Sequence, residues 1–280
     1  MYCRGDMVDP TAGVALFVSA HLDDAVFSCG GTLSLLQREG WRTIVATVCT
    51  EAGEYEQGGL AEHFNLAGEA TVEAGLARRR AEDRRAARLL GFLPLHLGLS
   101  DASFRQHYWQ RARTASMFID PMIAADDPYQ TVVSEAVRSC IEGLQPTLIF
   151  APAACGDHVD HLLVRRACID YMRAAKATVA WYQDLPYGLA AQDPSPVGLP
   201  DGAHPSVSSF EAEDLQRKCD ASATYTTQLR YFPDPNWRVA LERHARRLGA
   251  GQLCERVWTS AQPVSGHLRS TSLRPGRTSR

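Results

Sequence analysis

Short apolar runs alternate with longer stretches of helical periodicity through the first two thirds of this chain. Runs at 13–19, 42–49, 93–97, 147–151 and 178–181 predict strands, and stretches at 31–39, 72–90, 130–143 and 161–176 predict helices. Gly40 and Gly91 stand where a glycine ends the first two helices. Strands alternating with helices are the pattern of a parallel sheet covered on both faces. Ligands of such sheets gather beyond the carboxyl ends of the strands.

The expected fold class is therefore α/β: a Rossmann-like, mostly parallel sheet with helices on both faces and long loops at the strand C-terminal rim. Three connections, 50–69, 100–129 and 183–210, exceed the short turns usual in this architecture. The first is acidic and glycine-rich. The second carries Phe104, Tyr108, Trp109, Met117 and Phe118, and the third is punctuated by Pro186, Pro194, Pro196, Pro200 and Pro205. All three leave the same rim. They would form a lid or groove for a large substrate with apolar parts, or else surface excursions packed by their own aromatics.

Composition narrows the class. At 280 residues, 45% hydrophobic and 22% charged, the chain can bury one substantial core, so a single domain over 1–264 is expected. The basic stretch 265–280, with Arg269, Arg274, Arg277 and Arg280 and no acid, is expected to be a flexible tail. A net charge of -3 argues against a nucleic-acid partner. No apolar stretch is long enough for a membrane span, and the run ending at Ala20 is too short for a signal core, which predicts a cytoplasmic protein. Cys3, Cys29, Cys49, Cys140, Cys155, Cys168, Cys219 and Cys254 show no Cys-x-x-Cys spacing and are expected to be buried thiols. The run Arg78-Arg79-Arg80-Ala81-Glu82-Asp83-Arg84-Arg85 is most simply a solvated helix face.

Candidate chemistry lies in two clusters, each just after an apolar strand. The first is Ser19-Ala20-His21-Leu22-Asp23-Asp24, followed by Cys29-Gly30-Gly31-Thr32; the second is Gly156-Asp157-His158-Val159-Asp160-His161. Charge at the mouth of a buried strand is unfavourable unless a metal or a reaction uses it. Two imidazoles and one carboxylate leave a zinc ion one open position, the composition of a hydrolytic site. Of Asp23 and Asp24, one can bind metal while its neighbour takes a proton from the attacking water. His158 and His161 lie one helical turn apart, and only one need touch the metal. The other, as imidazolium, could stabilise an oxyanion and protonate the leaving group. Asp160 could orient a ligand histidine. Cys155 lies close by, but metal ligands beside it argue against a nucleophile. Gly30 and Gly31 would allow close helix packing behind the metal loop.

Together these residues resemble the LmbE-like (PIG-L) zinc-dependent N-acetylglucosaminyl deacetylases, which carry Ala-His-Pro-Asp-Asp-Glu after the first strand and His-x-Asp-His after a later one. Here the first motif reads Ala20-His21-Leu22-Asp23-Asp24-Ala25; Leu22 and Ala25 depart from it without removing a ligand. The resemblance implies one catalytic Zn2+ held by His21, Asp24 and His161, Asp23 as general base and His158 as electrostatic or acid partner. Weaker matches, Arg79-Arg80-Ala81-Glu82 and Leu97-Gly98-Leu99-Ser100-Asp101, imply Arg79 and Asp101 as substrate-binding residues near the sugar hydroxyls. The implied activity is hydrolysis of the N-acyl group of an N-acylglucosaminyl moiety on a small-molecule glycoside, such as a glycopeptide antibiotic intermediate. The rival readings are an amidase acting on a thiol conjugate and a non-catalytic glycan- or metal-binding module. Retention of Asp23 beside the ligands disfavours the latter.

Overall fold

A strand, a helix, then the next strand is the order in which the chain builds its first five strands. They are β1 (Val14–Ser19), β2 (Arg42–Glu51), β3 (Leu93–Ser100), β4 (Leu148–Pro152) and β5 (Val179–Tyr182). Between them run α1 (Asp24–Arg38), α2 (Val72–Leu90), α3 (Gln130–Leu144) and α4 (Val159–Ala175). The chain continues through β6 (His204–Ser209), α5 (Ala212–Ser222), the single turn α6 (Thr226–Leu229), α7 (Trp237–Leu248), β7 (Cys254–Thr259) and β8 (Leu268–Ser270). The computed structural model describes residues 13–53, 68–105, 127–175, 177–189 and 196–260, together with the strand at 268–270. Tyr108, Trp109, Met117 and Phe118 of the second long connection, and Pro194 of the third, lie outside the described residues.

The strands form one sheet in the order β3-β2-β1-β4-β5-β7-β6-β8. Pairings from β3 to β5 are parallel, and those joining β5, β7, β6 and β8 are antiparallel. β1 and β4 are wholly or almost wholly buried, as central parallel strands require. Side chains alternate between two cores. Leu16, Val18, Ile44 and Ile149 pack under α3 and α4, while Ala15, Phe17, Val45 and Phe150 pack under α1 and α2. Phe17 and Phe150 face each other in register, their rings stacked with centroids 4.3 Å apart. The chain winds outward through β1, β2 and β3, then returns to the other side of β1 as β4. That reversal is a topological switch point, and its crevice lies beyond the ends of β1 and β4.

Several expectations are corrected. The first helix begins at Asp24 rather than at residue 31, so Gly30 and Gly31 lie inside it. Packing overrides their poor propensity: a Cβ at Gly30 would come 2.7 Å from Lys218 Cγ, and one at Gly31 would come 2.6 Å from the Phe210 ring. The Gly31 and Thr32 amides donate to Glu255 at 2.9 and 2.8 Å, and Glu255 also pairs with the Lys218 amine at 2.6 Å. The run 78–85 is only partly solvated, because Arg79, Glu82 and Asp83 are buried. Glu82 accepts from the Thr226 and Thr227 hydroxyls at 2.6 Å each, and Asp83 from the Tyr225 hydroxyl at 2.8 Å. The third long connection contains β6. The segment expected as a tail contributes β8, which pairs with β6 from Ser206 to Ser208. Among the described residues no helix is long and apolar enough to cross a membrane.

Candidate active site

The Ser19 hydroxyl shapes the turn after β1, donating to the His21 carbonyl at 2.6 Å and accepting from the Ala25 amide at 3.2 Å. Asp24 opens α1 with its carboxylate folded back, Oδ2 accepting the His21 amide at 2.7 Å. That same oxygen lies 3.2 Å from His21 Nδ1 and 3.2 Å from His161 Nε2, and the two nitrogens are 3.3 Å apart. The three atoms form a nearly equilateral triangle. Tetrahedral coordination at about 2.0–2.1 Å spaces ligand atoms by about 3.3–3.4 Å, so this set fits a zinc-sized ion.

Each imidazole is turned by a carboxylate at its other nitrogen. His21 Nε2 lies 3.0 Å from Asp160 Oδ2 and 3.4 Å from Asp101 Oδ2, and His161 Nδ1 lies 2.6 Å from Asp184 Oδ1. Such contacts fix the tautomer and leave His21 Nδ1 and His161 Nε2 as lone-pair donors. Burial acts to lower both imidazoliums. The Asp24 charge and hydrogen bond, together with Asp160 and Asp101 at His21 and Asp184 at His161, jointly outweigh it, so His21 rises well above its ordinary value and His161 is pushed up to about 10. Burial opposes ionisation of Asp24, but His161 and His21 carry its carboxyl well below the usual range.

His158 stands beside the triangle, its ring centroid 4.8 Å from that of His21 and 5.1 Å from that of His161. Donor atoms of the three histidines lie within 4.8 Å of one another, a looser set than the one completed by Asp24. Burial, then repulsion from His21 and His161, pushes His158 down to about 3, so its ring is neutral near neutral pH. The Asp160 amide donates to its Nδ1 at 3.2 Å, which leaves the ring proton on Nε2. His21, Cys49 and Asp160 also come within 4.8 Å. There, however, Asp160 is already engaged by Arg105, the Ala102 amide and His21, and burial holds the Cys49 thiol well above its ordinary value.

Asp23 occupies the N-cap position of α1 without a side-chain capping bond and is half-buried. Burial and the adjacent Asp24 charge push its carboxyl up to about 6, against the pull of Arg79 and His21. It is thus an anion at neutral pH with raised basicity, as a general base requires. Arg79 projects from mid-α2, and its charge acts on both Asp23 and Asp101. Asp101 is buried, its Oδ1 accepting from the Ser103 amide and hydroxyl at 2.8 Å each. The fold therefore brings His21, Asp23, Asp24, His158 and His161 together, with Asp101 in contact with His21. Cys155, pushed up to about 12 by burial and the Asp184 charge, is a poor nucleophile.

Three residues here escaped the sequence reading. Asp184 follows β5, and its other oxygen accepts the Cys155 amide at 2.8 Å. Arg105 binds Asp160. Tyr187 lays its ring edge-on to His161, centroids 5.6 Å apart, and a Cβ at Gly156, where φ is +93°, would come 2.9 Å from Tyr187 Cβ. The one available signal was an acid closing a strand beside β4.

A doubly wound sheet that gathers such a donor triangle and a basic carboxylate at its switch point is the architecture of a metal-assisted hydrolase. The chain belongs to the PIG-L family: the family model described as GlcNAc-PI de-N-acetylase matches residues 16–172. It is similar to 2'-N-acetylparomamine deacetylase of Streptomyces fradiae, 32% identical over 259 residues, 91% of this chain and 84% of that protein. Among solved structures, the A40926 pseudoaglycone deacetylase superposes with a TM-score of 0.72 at 30% identity, covering 87% of this chain and 95% of that one. The zinc-inhibited form of teicoplanin deacetylase superposes with a TM-score of 0.75 at 28% identity, covering 88% and 97%. The chain is a deacetylase, hydrolysing an amide carbon–nitrogen bond.

Proposed function

We propose that this deacetylase is zinc-dependent and removes the acetyl group from a glucosamine-type sugar carried by a glycosylated natural product. The observation that carries the reading is the triangle of His21 Nδ1, Asp24 Oδ2 and His161 Nε2, with Asp23 adjacent to it in the chain. Bound zinc supplies Lewis-acid polarisation of the amide and lowers the pKa of water into the neutral range. Asp23 takes the proton from the attacking water. His158, neutral and protonated on Nε2, donates a hydrogen bond to the oxygen that gains negative charge. The proton on Asp23 is then delivered to the departing nitrogen, giving free amine and acetic acid, which releases its own proton to solvent as acetate. Arg79 and Asp101 are assigned to the sugar hydroxyls by the family resemblance, and the charge of Arg79 acting on both Asp23 and Asp101 is consistent with their lying at one site. The names of the relatives support an aminoglycoside or glycopeptide glycoside as substrate, and the net charge of -3 argues against a nucleic-acid partner.

The test is release of free amine from a panel: an N-acetylated aminoglycoside, a glycopeptide pseudoaglycone bearing N-acetylglucosamine, free N-acetylglucosamine and an amide-linked thiol conjugate. Turnover of a natural-product glycoside well above free N-acetylglucosamine is expected. Cleavage of the thiol conjugate alone would establish the rival amidase, and no cleavage of any member would overturn the substrate class.

A further inference from the structure

We propose that Arg105 is a positioning residue of the metal site, holding His21 in place through Asp160. This rests on the zinc reading above. Arg105 follows the 3-10 turn Ala102–Phe104 and is 4% exposed. Its Nη1 donates to Asp160 Oδ1 at 2.5 Å and to the Ser100 carbonyl at 3.0 Å. Its guanidinium lies over the Tyr129 ring, 4.7 Å from the centroid, and the Tyr129 hydroxyl accepts the Ser100 amide at 2.9 Å. The opposite oxygen of Asp160 receives the Ala102 amide and faces His21 Nε2. An unbroken series thus runs from half-buried Tyr129 through buried Arg105 and Asp160 to the imidazole whose Nδ1 belongs to the donor triangle.

Two physical arguments favour a role toward the metal over plain scaffolding. A wholly buried carboxylate keeps its charge and direction only when a cation satisfies it, and Arg105 fixes one oxygen so that the other points at His21. Among the described residues the side-chain hydrogen bonds of Arg105 all run through Nη1, to Asp160 and to the Ser100 carbonyl, so its described polar contacts converge on the segment that holds Asp160 and Ala102. Lysine would keep the charge but not the planar fork.

The experiment measures zinc affinity by chelator competition in the full chain, comparing wild type, R105Q, R105K, D160N and the R105Q/D160N double variant. R105Q should weaken zinc by about tenfold, the lower end of the range for outer partners of metal ligands, and R105K by less. The double variant should bind no more weakly than D160N, because Arg105 acts only through Asp160. A purely structural role would lower the melting temperature in EDTA and leave zinc affinity within twofold of wild type, and that result overturns the proposal. Should R105Q fail to fold, wild-type affinity in R105K overturns it instead. A wild-type protein that binds no zinc sinks the metal reading and this inference with it; tight wild-type binding beside an unaffected R105Q sinks the inference alone.

Discussion

Replacing Asp184 with Asn preserves the side chain's shape and changes one oxygen into a donor. Asp184 is fully buried, with Oδ1 at 2.6 Å from His161 Nδ1 and Oδ2 accepting the Cys155 amide at 2.8 Å. The Cys155 amide can only donate, so the oxygen of Asn stays with it and the amide nitrogen turns toward His161. Neutral His161 must then accept at Nδ1 and carry its proton on Nε2, the atom assigned to the metal. Flipping Asn the other way would leave the Cys155 amide facing a donor, unfavourable by about 1–3 kcal/mol. Losing an outer carboxylate of this kind weakens metal binding about 10–100-fold, or about 1.4–2.7 kcal/mol, the same scale. The assay is competition with a chromogenic chelator, with circular dichroism to confirm the fold. Zinc affinity within twofold of wild type in folded Asp184→Asn would refute the view that Asp184 sets the tautomer of His161.

Glu255→Gln should destabilise by about 3–5 kcal/mol, because it strands the buried Lys218 amine and weakens the hold on the Gly31 and Thr32 amides; an unchanged urea midpoint would contradict this. Gly156→Ala adds a methyl 2.9 Å from Tyr187 Cβ at a φ of +93° and should cost about 1–3 kcal/mol, read as a lower melting temperature and refuted by a wild-type one. His244, pushed down to about 3 by burial and then by Arg247, stays neutral in the fold while the unfolded chain binds a proton below its ordinary value. Its contribution is therefore fully present near neutral pH and lost as pH falls from about 6.5 toward 3. His244→Gln should show a shallower loss of stability than wild type over that window, and identical slopes would remove His244 as the source.

The two motifs were legible because each packs its chemistry into six consecutive residues behind an apolar run, and a parallel sheet sends such segments to one rim. Asp160 was legible for the same reason. Asp184, Arg105 and Tyr187 come from the segments after β5 and β3, and only the sheet order sets them beside His161, Asp160 and the His158–His161 pair. The strand His204–Ser209 escaped because its only apolar residues are Val207 and a strand-disfavouring proline, Pro205, too little to mark an alternation. Helical spacing revealed α2, but which acids face inward depends on Thr226, Thr227 and Tyr225, more than a hundred residues downstream. A periodic pattern gives an element, and its partners depend on the rest of the chain.

The most direct test measures zinc content and deacetylation together in Asp23→Asn. One zinc per chain is expected, as in wild type, with turnover reduced by roughly a hundredfold or more, the scale of losing a positioned base. Loss of zinc would make Asp23 a ligand, and near-normal turnover with zinc bound would remove it from the chemistry; either result contradicts the division of labour between Asp23 and Asp24.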